Sequence, residues 1–180
     1  MKEIIDIWEN FFSAQEINIK RGCELIVSSL EKGNKILIAG NGGSSAQSSH
    51  FMAEILGRYE KNIIPYPAVS LNSDISTITA LSNDFGYENI FSYQIEGLGK
   101  AGDVFIALST SGKSKNIIKA VEKAKEKKLY IISLVGEKPT VLEGLSDVII
   151  KVPSSKTARV QEVHLYILHS FAEAVDKKLR

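Results

Sequence analysis

Apolar residues recur at steps of three or four over residues 3–31, near the beginning of the chain. The positions are Ile5, Trp8, Phe12, Ile19, Cys23, Ile26 and Leu30, with one gap at Gln15. This spacing puts them on one face of an α-helix, so it predicts a long amphipathic helix. Gly33 and Asn34 follow it, and residues of this kind end helices.

Three aromatic residues, Trp8, Phe11 and Phe12, lie close together in this first helix. Two interpretations are open. Either the rings belong to the core of the domain, or they form a contact between subunits, where clustered aromatic residues are favoured. We treat residues 1–32 as an N-terminal helix and expect it at a subunit interface.

Short apolar runs alternate with helical stretches along the rest of the chain. The runs are Lys35–Ala39, Ala68–Leu71, Val104–Leu108, Tyr130–Val135 and Val148–Val152, and the helical stretches lie near 45–57, 74–82, 87–97, 114–128 and 157–179. Because the runs are apolar on both faces, they fit the strands of a covered parallel sheet. The alternation predicts an α/β fold, a single domain over residues 1–180 with a doubly wound, five-stranded parallel sheet flanked by helices.

Composition and charge narrow the class of protein. The chain has 180 residues, of which 44% are hydrophobic and 24% charged, as in soluble globular proteins. Its formal charge of +1 offers no attraction to nucleic acid or to an anionic membrane. Cys23 is the only cysteine, which excludes an internal disulfide, and charges among the first residues disfavour a signal peptide or membrane anchor. We expect a cytoplasmic protein without nucleic-acid or membrane partners.

A glycine-rich loop directly follows the first apolar run. Gly40, Gly42 and Gly43 allow close approach of a ligand to the backbone, and the next helix turns its free N–H groups toward that ligand. His50 and Glu54 lie further along the same helix, four residues apart and therefore on one face. The segment predicts a binding loop for a polar ligand, followed by an acid/base or metal-binding pair.

A second polar loop, Ser109-Thr-Ser-Gly-Lys-Ser114, joins the run Val104–Leu108 to a helix. Four hydroxyls and a helix N-terminus favour phosphate binding, since capping a helix needs only one hydroxyl. Ser114 is also a candidate for that cap. A nucleotide P-loop is excluded, because its first glycine would fall at Ala107.

The remaining polar candidates are less specific. Asn83 and Asp84 precede Phe85-Gly86, where an Asx turn explains them sufficiently. In the last helix, His169 has Glu162 seven residues before it, nearly on the same face, whereas Gln161 lies about 80° away. Single-helix geometry therefore prefers Glu162 as the companion of His169.

Taken in order, five motifs resemble those of the phosphoheptose isomerases, the sedoheptulose-7-phosphate isomerase branch of the sugar-isomerase (SIS) domain proteins. They are Gly40-Asn-Gly-Gly-Ser44, His50-Phe-x-Ala-Glu54 with Gly57-Arg-Tyr59, Asn83-Asp-Phe-Gly86, Ser109-Thr-Ser-Gly-x-Ser114, and Arg159-Val-Gln-Glu-x-His164 with His169. Each motif alone is modest, but five in order at matching positions are specific. The resemblance covers nearly the whole chain.

The resemblance implies a SIS domain assembled as a homotetramer, and isomerisation of sedoheptulose 7-phosphate to D-glycero-D-manno-heptose 7-phosphate through an enediol. The product serves bacterial heptose synthesis. The acid/base pair falls on Glu54 and His169. The substrate contacts fall on Asn41, Gly42, Gly43, Glu54, Asn83, Asp84, Ser109, Thr110, Ser111, Ser114 and Gln161, and the ligands of one Zn²⁺ on His50, Glu54, Gln161 and His169. The family thus selects Gln161 where helix geometry prefers Glu162.

Two departures and two alternatives accompany this resemblance. Gln47 and Ala158 stand where several family members have an acidic residue, and both differences bear on substrate binding and metal affinity. One alternative is a non-catalytic SIS module that binds sugar phosphates or a replication initiator, although Glu54 and His169 are both present. The other is an isomerase of five- or six-carbon sugar phosphates, because sequence does not measure pocket length.

Overall fold

The computed structural model describes residues 2–60 and 64–179, so Met1, at the start of the predicted N-terminal segment, lies outside it. Helices and strands alternate after a long first helix. The elements are α1 Lys2–Glu31, β1 Ile36–Gly40, α2 Gly43–Leu56, β2 Ala68–Ser70, α3 Ile75–Phe85, α4 Ile90–Leu98, β3 Val104–Ser109, α5 Lys115–Glu126, β4 Tyr130–Val135, β5 Val148–Lys151 and α6 Thr157–Leu179, with short 3₁₀ turns at Tyr87–Asn89 and Val141–Gly144.

The strands form one five-stranded parallel sheet in the order β2-β1-β3-β4-β5. From β1 the chain first adds β2 on one side and then β3 on the other. The β1/β3 boundary is therefore the topological switch point, outside which ligands bind in open α/β sheets. Gly40, at the end of β1, is paired in register with Leu108 of β3. The two loops that follow these strands thus start side by side.

Helices cover both faces of the sheet, as the alternation predicts. One hydrophobic core joins α1, α2 and α6 to one face, and a second joins α4 and α5 to the other. The central strands β1 and β3 are buried at every position. The doubly wound α/β prediction is confirmed, and α2 and α6 share a layer although they are distant in sequence.

The element boundaries agree with the pattern within about three residues, but one predicted helix differs in type over its first turn. The stretch near 87–97 starts as a 3₁₀ turn, and α4 begins only at Ile90. Gly86 has φ +84, a backbone conformation that breaks the helical path from α3. Among the described residues, no helix is long and apolar enough to cross a membrane.

The aromatic residues of α1 differ in burial, which bears on whether they belong to the core or to a subunit contact. Phe11 is fully buried in the core. Phe12 is 40% exposed, and its ring stacks on Trp8 and meets Tyr166 of α6 edge to face. Core packing therefore accounts for Phe11 and not for Phe12.

Candidate functional site

The first part of the site is the glycine cradle, residues Gly40–Gly43 between β1 and α2. Gly42 has φ +54, which a residue with a side chain rarely adopts. The side chain of Asn72, just after β2, holds the cradle at Gly40: its oxygen accepts from the Gly40 N–H at 3.1 Å and its amide donates to the Gly40 carbonyl at 2.9 Å. Ser48 of α2 donates to the same Asn72 oxygen at 3.0 Å. The cradle backbone is thus held in place on two sides.

The second part is the hydroxyl loop, residues Ser109–Ser114 between β3 and α5. Gly112 has φ +65 and packs closely on Thr140, whose hydroxyl donates to the Gly112 carbonyl at 2.6 Å. Ser109 donates to the Ser114 hydroxyl at 3.2 Å. Ser114 makes no side-chain capping bond to α5, contrary to the capping alternative. Thr110 and Ser111 line a cavity of about 230 Å³ beside this loop. Hydroxyls and a helix N-terminus here suit a phosphate group.

The two loops are joined by side chains across the switch point. Asn41 of the cradle and Asn116 in the first turn of α5 exchange two hydrogen bonds of 2.9 Å. Tyr87 donates to the Asn41 oxygen at 3.0 Å. With residues of the cradle, Asn72 and α3, Tyr87 lines a cavity of about 240 Å³. The sequence-predicted contact Asn41 therefore lies at the site, with its oxygen already engaged.

A cluster of His50, Glu54 and His169 lies where α2 packs against α6. Their ligand atoms all lie within 4.8 Å of one another. His50 Nε2 is 3.1 Å from His169 Nε2 and 3.3 Å from Glu54 Oε1. The edges of a tetrahedron around Zn²⁺, with bonds of about 2.0–2.1 Å, are roughly 3.3–3.4 Å long. This donor set therefore suits a divalent metal, and it equally offers a carboxylate and imidazoles for proton transfer.

Gln161 and Glu162 lie apart from that cluster. A Cβ built on Gly43 would be 2.6–2.9 Å from the Gln161 side-chain amide, so this amide packs directly against the cradle backbone. Gly43 and His50 are about 10 Å apart along α2. Glu162 is exposed and pairs with Arg159, so the structure does not place the helix-geometry candidate beside His169. Gln161 lies instead at the cradle.

Asn83 and Asp84 are exposed at the end of α3, where the Asn83 amide donates to the Asp84 carboxylate at 2.9 Å. Neither side chain has a described contact with the cradle or the hydroxyl loop. The structure therefore does not bring these two predicted contacts into the site within the described part of one chain.

His164 is fully buried one turn beyond Gln161 in α6. Burial lowers the pKa of His164 to about 4. The nearby backbone of Val135 acts in the opposite direction, and its effect is the smaller of the two. His164 is therefore a neutral core residue. Among the described residues, neither of its ring nitrogens has a hydrogen-bond partner.

Sequence reasoning missed three residues that hold the cradle: Asn72, Tyr87 and Asn116. Asn72 follows the apolar run of β2 at the carboxyl edge of the sheet, and this position was a usable signal. Asn116 reads as an ordinary residue of an amphipathic helix, and Tyr87 as part of the predicted helix near 87–97. No local pattern distinguishes either of them.

The fold and site define a doubly wound α/β protein whose candidate site for a small polar ligand lies at the switch point between its first and third strands. A family model described as the SIS domain matches residues 1–136. Phosphoheptose isomerases of Shewanella sp. (strain ANA-3) and Shewanella pealeana are 47% and 48% identical over 165 residues, 90% of this chain and 84% of each relative.

Solved structures agree with the sequence relatives. The phosphoheptose isomerase GmhA from Neisseria gonorrhoeae superposes with a TM-score of 0.92 at 36% identity, over 98% of this chain and 94% of that one. A phosphoheptose isomerase from Francisella tularensis gives 0.92 at 33% identity, with the same shares covered. The chain therefore belongs to the SIS domain family and, within it, to the phosphoheptose isomerases.

Proposed function

We propose that this isomerase converts sedoheptulose 7-phosphate into D-glycero-D-manno-heptose 7-phosphate, an early cytoplasmic step of bacterial ADP- or GDP-heptose synthesis. The single observation that carries the proposal is the convergence of Glu54 with two imidazoles within 4.8 Å, in a protein whose relatives are named phosphoheptose isomerases. A non-catalytic sugar-phosphate module has no need of such a cluster.

The substrate spans the two loops in this proposal. Its phosphate binds at the hydroxyl loop, to Ser109, Thr110, Ser111, Ser114 and the N–H groups that begin α5. Its sugar hydroxyls bind the backbone at Asn41, Gly42 and Gly43, with Gln161 beside them. Asn83 and Asp84, which lie outside these loops within one chain, contribute from a neighbouring subunit of the proposed tetramer. Binding energy at the phosphate then orients the reacting carbons toward α2 and α6.

Glu54 and His169 carry the proton transfers. The Glu54 carboxylate takes a proton from C1, and the electron pair of that C–H bond forms the C1=C2 double bond while His169 protonates O2. Glu54 returns its proton to C2, the O1 proton leaves to His169, and C1 becomes the aldehyde. Each group must stand within hydrogen-bond reach of the atom it serves. The Nε2 atom of His169, 3.1 Å from that of His50, lies in the same cluster as Glu54.

We also propose one Zn²⁺ per subunit, held by His50, Glu54 and His169, with Gln161 as a fourth ligand once its side chain turns away from Gly43. Imidazole and carboxylate are ordinary zinc ligands, whereas an amide oxygen is rare. When bound, zinc supplies a Lewis acid that polarises the substrate carbonyl.

Elemental analysis tests the metal proposal. Purified wild type should carry close to one zinc per chain and His50→Ala much less, whereas Lys125→Ala, a surface change on α5 in the other helix layer, should match wild type. Full activity of wild type after complete chelation, with no metal left, would contradict an essential zinc.

A substrate panel tests the reaction itself. Purified protein is incubated separately with sedoheptulose 7-phosphate, fructose 6-phosphate and ribulose 5-phosphate, and the anomeric protons of new aldoses are followed by NMR. We expect turnover of the seven-carbon ketose with a kcat/KM far above the other two. Preference for a shorter sugar overturns the substrate assignment, and tight binding without turnover indicates a non-catalytic module.

A further inference from the structure

We propose that Asn116 is a positioning residue, which fixes the spacing between the glycine cradle and the hydroxyl loop through its paired amide bonds with Asn41. The inference rests on the proposed function in one respect, that the substrate occupies both loops at once. The two asparagines lie 75 residues apart in sequence and follow neighbouring strands of the sheet.

The geometry of the pair is that of a rigid link. Asn41 Nδ2 donates to Asn116 Oδ1 and Asn116 Nδ2 donates back to Asn41 Oδ1, both at 2.9 Å. Asn116 is only 3% exposed, so water competes little for these bonds. The Ile117 N–H also donates to Asn116 Oδ1 at 3.0 Å, which holds the amide to the first turn of α5.

Asn41 has little capacity left for a ligand. Its oxygen accepts from Asn116 and, at 3.0 Å, from the Tyr87 hydroxyl, which uses both lone pairs. One amide N–H remains for the substrate. The main effect of the Asn41 side chain therefore passes through Asn116, and the sugar meets the backbone of the cradle.

The link matters because α2 and α5 pack on opposite faces of the sheet. The cradle begins α2 and the hydroxyl loop begins α5, so the helix cores do not tie the two loops together. A ligand with one end in each loop gains from fixed spacing, since less freedom is lost on binding. Glu54 and His169 lie on α2 and α6, outside the link.

Asn116→Ala tests the link through the KM-against-kcat split. Losing two buried hydrogen bonds should raise KM for sedoheptulose 7-phosphate roughly tenfold while kcat stays near wild type. The matched control is Asn89→Ala. Asn89 also bonds α5, through Lys119 Nζ at 3.0 Å, but it has no described bond to either loop. An unchanged KM in Asn116→Ala, or an equal rise in the control, overturns the proposal.

Asn116→Asp separates the link from helix capping. An aspartate keeps an acceptor for the Ile117 N–H but loses the donor to Asn41. We expect a raised KM while circular dichroism shows that α5 is retained, although the carboxylate buried against the Asn41 oxygen lowers the melting temperature. A KM equal to that of wild type would mean that Asn116 only caps α5, and the proposal would fail.

A double-mutant cycle and hydrogen exchange complete the test. If the pair acts as a unit, the double variant Asn41→Ala/Asn116→Ala raises KM no further than either change alone. If the two residues act independently, the fold-changes in KM of the single variants multiply in the double variant. Asn41→Ala should also speed amide exchange in peptides covering residues 109–118, and unchanged exchange there overturns the link. Hydrogen exchange needs no substrate, so it tests the Asn41–Asn116 link independently of the reaction. If wild type failed to turn over sedoheptulose 7-phosphate, the proposed function would be refuted, but the exchange result would still decide whether the link exists.

Discussion

At the residue scale, the centre of the site is the contact between two imidazoles. A hydrogen bond of 3.1 Å between His50 Nε2 and His169 Nε2 requires one N–H and one bare lone pair. A metal needs both nitrogens bare. Metal binding and proton transfer therefore use the same lone pairs, and the histidine that donates this hydrogen bond must move its proton off Nε2 when a metal binds.

His164 should make stability depend on pH. Its folded pKa of about 4 lies below the ordinary value of 6.5, so the unfolded chain binds more protons in this range. Stability is then full above pH 6.5 and falls by about 2–3 kcal/mol between pH 7 and pH 4.5. Urea unfolding at pH 7 and at pH 4.5, compared as free energies of unfolding, measures this loss of stability.

The matched variant is His164→Leu, which keeps an apolar core and removes the titrating group. Its loss of stability over the same pH interval should be smaller than that of wild type by about the amount assigned to the histidine. Equal losses in the two proteins would show that His164 titrates normally.

Sequence reasoning located most of the candidate site at this scale, because glycine and serine loops after apolar runs have a direct physical meaning. Helix geometry alone did not find the companion of His169, because the structure places neither Glu162 nor Gln161 beside it. Glu162 looked better aligned with His169, but it pairs with Arg159 at the surface, whereas Gln161 faces Gly43 on another helix. The position of a partner helix is not contained in the period of one helix.

At the scale of elements, α1 packs closely on α6 at Gly22. A Cβ there would lie 2.8 Å from the Phe171 ring. We expect Gly22→Ala to destabilise the fold by about 1–3 kcal/mol, because the buried ring must shift. Chemical denaturation measures the change.

Gly97 provides the control, since it also lies within a helix and a Cβ there meets nothing within 4 Å. Gly97→Ala should be neutral or stabilising by up to about 1 kcal/mol, through helix propensity. Equal effects of the two substitutions would mean that the α1–α6 contact is not tight.

The elements themselves were largely predictable, since burial on both faces of the strands and the helical period leave clear patterns. Two features of the fold could not be predicted from the sequence. The 3₁₀ turn at Tyr87–Asn89 depends on the positive φ of Gly86, and the pairing of α2 with α6 depends on the sheet order. That pairing is what brings His50 to His169.

At the scale of the whole molecule, we propose that the first helix carries a subunit interface of a homotetramer. Ile5 and Phe12, on the same face of α1, are 50% and 40% exposed, and Tyr166, whose ring meets that of Phe12, is 41% exposed. Clustered exposed apolar residues of this kind are typical of interfaces.

Light scattering of Phe12→Glu tests that interface. A charge at the centre of the patch should reduce the mass from that of a tetramer, because burying it without a partner is costly. Leu98→Glu is the control, since Leu98 is 42% exposed on α4 in the other helix layer. An unchanged mass in Phe12→Glu, or dissociation in the control alone, would place the interface elsewhere.

The central claim is that Glu54, with His169, isomerises a seven-carbon sugar phosphate. The most direct measurement is the rate of aldose formation from sedoheptulose 7-phosphate, followed by NMR, for wild type and for Glu54→Gln with its fold verified by circular dichroism. We predict steady conversion by wild type and a rate lower by about 10²-fold or more in Glu54→Gln, whose amide takes up no proton. Equal rates in the two proteins, or no conversion by wild type, would contradict the claim.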